Sequence, residues 1–133
     1  MVDRPVGSSL TIAALALTWC VLGVLVSGPA AAGEPVVENV EVTRTGEGVY
    51  SFAVTLSHGD EGTDHYADRW EVKAADGTVY GTRELLHPHV NEQPFTRSEF
   101  GIEIPTDVTT VFVSGHDNVH GDGEAVEVAL PTQ

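Results

Sequence analysis

The strongest constraint in this sequence is a two-residue alternation. Tyr50, Phe52, Val54 and Leu56 are large and apolar, and small or polar residues separate them. A chain with that period puts one set of side chains on one face of a strand. The pattern recurs along the chain. Val36 to Thr43 alternates, with Val36, Val40 and Val42 on one side. Tyr66, Trp70 and Val72 share a phase, and Ala75-Asp76-Gly77 turns the chain into Val79 to Leu86. Phe100, Ile102 and Ile104 mark a fifth run, Thr109 to Ser114 a sixth, and Val126, Val128 and Leu130 a seventh. No stretch shows a helical period. About seven short strands in about 100 residues imply an all-β fold, an antiparallel immunoglobulin/fibronectin-III-like sandwich. Trp70, Tyr50, Phe52 and Phe100 are read as its core.

The first 32 residues read as a secretory signal peptide, and residues 33–133 as a single β-sandwich domain. A charged start ending at Arg4 precedes the apolar run Leu10 to Val26. Ser27-Gly28-Pro29 break that run, and Ala30-Ala31-Ala32 offer a cleavage site. Trp19 stands before Cys20 where lipoprotein processing wants a small residue. The expected location is periplasmic or secreted, with a membrane tether if the leader stays uncut. Cleavage would remove the single cysteine and the single methionine. No disulfide could then brace the domain, and any bound metal would be held by nitrogen and oxygen.

The net charge of −14 falls on the domain, because Asp3 and Arg4 cancel in the leader. Such a surface repels nucleic acid and anionic membrane, and both are excluded as partners of the domain.

Six histidines carry the functional signal: His58, His65, His87, His89, His116 and His120. If consecutive strands alternate direction, all six lie at one pole. In His87-Pro88-His89 an extended backbone points both rings to one side, about 7 Å apart at Cα. Pro88 restrains that geometry. His116 and His120 stand four residues apart in what reads as a loop. The expected metal ligands are His87, His89 and His120, with His65 or His116 as a fourth. Glu92, Asp64 and Asp117 are alternative ligands or carboxylates that orient the rings. His58, alone at a strand end, reads more readily as a surface residue.

Imidazole with carboxylate suits zinc or copper(II). Calcium is the oxygen-ligand alternative, through 59–64 and through Asp117, Asn118, Asp122 and Glu124, although neither segment has EF-hand spacing. No G-x-S-x-G, H-E-x-x-H, phosphate-loop or dinucleotide pattern is present, so no enzymatic activity is expected. Metal carriage, storage or sensing is the expected role. The rivals are an interaction module that docks another exported protein through its acidic face, and a calcium-stabilised adhesion domain.

The segments D-H-Y-A-D-R-W-E-V, D-G-T-V-Y-G-T-R and L-L-H-P-H-V-N-E-Q-P-F-T-R-S lie between Asp64 and Ser98, and G-H-D-N-V-H-G follows later. This run resembles a group of small exported bacterial proteins. The resemblance implies export and a shared fold, and it supplies no mechanism.

Overall fold

A computed structural model describes residues 33–132, and every regular element among them is a β-strand. The expected signal segment lies outside the described residues. Among the described residues, no helix is long and apolar enough to cross a membrane. The strands are β1 (Val36–Gly46), β2 (Val49–Ser57), β3 (Ala67–Lys73), β4 (Val79–Glu84), β5 (Phe95–Glu103), β6 (Thr110–Asp117), β7 (Gly121–Asp122) and β8 (Val126–Ala129). One sheet has the order β1-β2-β5. The other runs β4-β3-β6, with β7 and β8 both paired to β6. All pairings are antiparallel. The result is the expected sandwich, with a two-residue strand, β7, beyond the seven read from the sequence.

The core follows from the alternation. Phe52, Val54 and Leu56 of β2 are fully buried, as are Trp70 and Val72 of β3 and Val111 and Val113 of β6. These strands lie inside their sheets, so neighbours flank them and the opposite sheet covers their inner face.

Three phases differ from the sequence reading, each at a register shift. An extra residue in one strand turns every side chain beyond it to the other face. In β1 the shift lies between Val37 and Asn39, so Val37 packs on the core with Val40 and Val42, while Val36 is 48% exposed. In β3 it lies between Ala67 and Arg69, and Ala67 rather than Tyr66 takes the buried position. The third concerns Phe100. Strand β5 begins at Phe95, which is buried, and its phase breaks where Gly101 adopts φ of 68°. Phe100 is thereby turned outward and is 73% exposed. Phe95→Ala should cost about 3–5 kcal/mol, whereas Phe100→Ser should stay within about 0.5 kcal/mol of the parent. Urea unfolding of the two variants checks the register, and equal effects would contradict it.

Candidate metal centre

Two strands run further than their apolar residues show. The inward phase of β2 continues past Leu56 to His58, and that of β6 continues past Val113 and Gly115 to Asp117. Both side chains are therefore drawn into the end of the sandwich, and neither is exposed. His58 Nε2 lies 3.1 Å from Asp117 Oδ2.

The loop after β2 returns His65 to the same place. Glu61 N–H donates to the His65 carbonyl at 2.8 Å and His65 N–H donates to that of Gly62 at 3.2 Å, closing a tight turn. Gly62 has φ of 112°, which a side-chain-bearing residue rarely adopts. His65 Nε2 then stands 3.5 Å from Asp117 Oδ2, and its ring meets that of His58 edge-on at 5.0 Å between centroids.

The loop after β6 is shaped by Asp117 itself. Its Oδ1 accepts the amide protons of Val119, at 2.7 Å, and of His120. An aspartate bonded to the backbone two and three residues on is a turn-forming device. The turn brings His120 Nδ1 to 3.0 Å from Asp117 Oδ2 and 3.2 Å from His65 Nε2. One carboxylate therefore bends the loop with one oxygen and faces three imidazoles with the other. Burial alone would raise the Asp117 carboxyl. The amides of His120 and Val119, and the His120 and His65 rings, outweigh it and hold the group well below the ordinary carboxylate range.

His58, His65 and Asp117 offer ligand atoms that all lie within 4.8 Å of one another and could hold a metal ion. A tetrahedral ion with bonds of roughly 2.0–2.1 Å sets its ligand atoms about 3.3–3.4 Å apart. The His58–Asp117 and His65–Asp117 separations, 3.1 and 3.5 Å, lie to either side of that value. The His65 side chain is 12% exposed and that of His120 is 40% exposed, so the opening to solvent lies on the His120 side.

A second carboxylate flanks His58. Asp60 Oδ1 lies 2.5 Å from His58 Nδ1 and accepts the Ala67 amide at 3.0 Å, while its Oδ2 accepts the His89 amide at 2.6 Å. Gln93 ties the same loops together, accepting the His58 amide at 3.0 Å and donating to the His89 carbonyl at 3.0 Å.

The other sequence candidates fall in two separate groups. His87 is exposed, and its ring stands 4.6 Å from that of His89. His89 is buried and stacks on Phe95 at 3.8 Å, and Arg97 lies 3.0 Å from its Nε2. Burial, then the charge of Arg97, then His87, lowers the His89 pKa below the ordinary imidazole value. Glu92 is engaged by the Arg97 guanidinium at 3.1 and 3.4 Å. His116 lies on β6 rather than in a loop, with its Nδ1 2.6 Å from Asp68 and 3.0 Å from Arg69. Asp64 is exposed. The group whose ligand atoms all lie within 4.8 Å of one another is His58, His65 and Asp117, and His120 stands beside Asp117 and His65. His58 is no surface residue, and Asp117 stands among the rings rather than behind them. In the calcium segments, Asp60 and Asp117 are turned to amides and imidazoles, and Asp122 bonds Lys73 at 3.0 Å.

No protein-family model matches the chain. A protein of Halomicrobium mukohataei named “Putative lipoprotein” is 48% identical over 87 residues, which are 65% of this chain and 42% of that protein. The chain thus spans less than half the length of this relative. Among solved structures, the superoxide reductase (neelaredoxin) of Archaeoglobus fulgidus in its reduced form is similar, with 18% identity and a TM-score of 0.44. The overlap covers 77% of this chain and 90% of that one. That neighbour is an enzyme, and the expectation of a protein without enzymatic activity is withdrawn on this finding. At this identity and TM-score the likeness carries no reaction over to the present chain.

Proposed function

We propose that the domain binds a divalent first-row transition metal at this pole. His58, His65 and Asp117 are the primary ligands, and His120 is a fourth from the solvent side. The observation that carries the reading is the convergence of three imidazole nitrogens on one buried carboxylate oxygen, at 3.0–3.5 Å. Charge supports it as well. The Asp60 and Asp117 side chains have no solvent exposure, and buried carboxylates are costly unless matched by positive charge. A divalent ion beside Asp117, with Asp60 behind the His58 ring, offsets both charges.

The donor set is nitrogen and oxygen without sulfur, which suits zinc or copper(II) in four-coordinate form. Two histidines and a carboxylate with open positions also suit iron(II). The role proposed is to carry, store or sense that ion outside the cell. Export rests on the leader pattern and is in keeping with the relative's name. Docking of another exported protein is the second reading, favoured by Leu86, Val90 and Val119, which are exposed on loops of the same pole.

Titration of the chelator-treated protein with Zn(II), Cu(II), Fe(II) and Ca(II), followed by thermal unfolding, tests the proposal. An ion that binds only the native state adds about 2.7 kcal/mol at 100 times its dissociation constant. Zn(II), Cu(II) or Fe(II) should raise the midpoint, and the gain should shrink in acid because protons compete with the ion for the ligand atoms. A flat response to all three transition metals would refute the proposal.

A further inference from the structure

Resting on that reading, we infer that Asp60 is a positioning residue for the centre: it selects which nitrogen of His58 faces the metal. A neutral imidazole has one N–H and one lone pair, and the partner of the first decides where the second points. Asp60 Oδ1 is 2.5 Å from His58 Nδ1, and Asp117 Oδ2 is 3.1 Å from Nε2, on the opposite edge of the same ring. A carboxylate at Nδ1 holds the proton there and leaves the Nε2 lone pair directed at the converging ligands. It also makes the ring a stronger donor.

The placement of Asp60 is itself secured. Its Oδ1 also accepts the Ala67 amide, at the start of β3, and its Oδ2 accepts the His89 amide, in the loop between β4 and β5. Two segments far apart in sequence thus clamp a side chain with no solvent exposure. Histidine and aspartate two residues apart on a strand end would otherwise share a face without fixed contact. The clamp turns that neighbourhood into a defined hydrogen bond. His89 serves here through its backbone rather than through its ring.

The test uses the full protein with Zn(II) and Co(II) as probes and three chains: the parent, Asp60→Asn and Gln93→Leu. Asparagine keeps the shape and one acceptor oxygen but loses the charge. Gln93→Leu loosens the same loops without touching the His58 ring. Asp60→Asn should weaken Zn(II) roughly tenfold to a hundredfold and alter the visible spectrum of bound Co(II). Gln93→Leu should weaken Zn(II) less than Asp60→Asn does and should leave the Co(II) spectrum as in the parent. Equal losses in the two variants, or an unchanged Asp60→Asn, would overturn the inference while leaving metal binding by the parent intact. Failure of the parent to bind either ion would instead remove the proposed function. Should Asp60→Asn not fold, ¹⁵N imidazole spectra of the zinc-loaded parent decide. His58 must show a protonated Nδ1 and a metal-bound Nε2, and the reverse pattern overturns the inference.

Discussion

Asp117→Ala is expected to abolish transition-metal binding. The loss should exceed the roughly 10- to 100-fold that removal of an outer partner of a metal ligand brings. One oxygen of Asp117 stands within 3.5 Å of three imidazole nitrogens, so no other group replaces it. The same change leaves the amides of Val119 and His120 without their acceptor, at about 1–3 kcal/mol. Asp117→Asn retains an oxygen for those amides and should separate the two effects: metal binding lost, apo stability closer to the parent. Calorimetric titration with Zn(II) and urea unfolding without metal read them independently. An Asp117→Asn protein that binds Zn(II) like the parent would mean the ion sits elsewhere.

The pH dependence follows from the same residue. The folded state holds the Asp117 carboxyl well below its ordinary range, first against burial and through the amides of His120 and Val119. The unfolded state therefore takes up its proton first as pH falls. The stabilisation is fully present above an unfolded value of about 3.9 and is lost as pH drops toward the folded value. Acid unfolding of the metal-free protein, compared with Asp117→Asn, should show the parent losing this extra stability below about pH 3.9.

Trp70→Ala is expected to cost about 3–5 kcal/mol, among the largest effects of any single truncation in the core. Trp70 is fully buried on an inner strand of its sheet. For a domain of this size such a loss lowers the melting midpoint by roughly 15–30 °C. Trp70→Phe should cost much less. It loses volume but removes an indole N–H that is buried without a hydrogen-bond partner. Thermal unfolding of both variants checks this, and equal losses would show that the indole nitrogen does not matter.

Much of the fold was legible because alternation is a local property. Tyr50 to Leu56 can bury one face only as a strand, whatever surrounds it. Phe100 was misplaced because a register shift depends on the partner strand and on one backbone angle at Gly101, which no hydrophobic pattern records. His116 and Asp117 were assigned to a loop because β6 ends in polar residues, Gly-His-Asp, that pair with β3 and β7. The centre was partly visible in the same way. His58 continues the even-numbered phase of Phe52, Val54 and Leu56, and Asp117 continues the odd-numbered phase of Val111 and Val113. Weighing that phase above residue type would have buried both. The His87/His89 pair drew attention through spacing alone, and spacing does not reveal that Arg97 lies at the His89 ring.

The sequence by itself determined the strands and a donor chemistry of nitrogen and oxygen. Each of these rests on the identity and local order of residues. Only the tertiary structure decided which side chains meet. That choice depends on how three loops fold back over the ends of β2 and β6. Two buried carboxylates, Asp60 and Asp117, hold those loops through amides that are remote or out of phase in the chain.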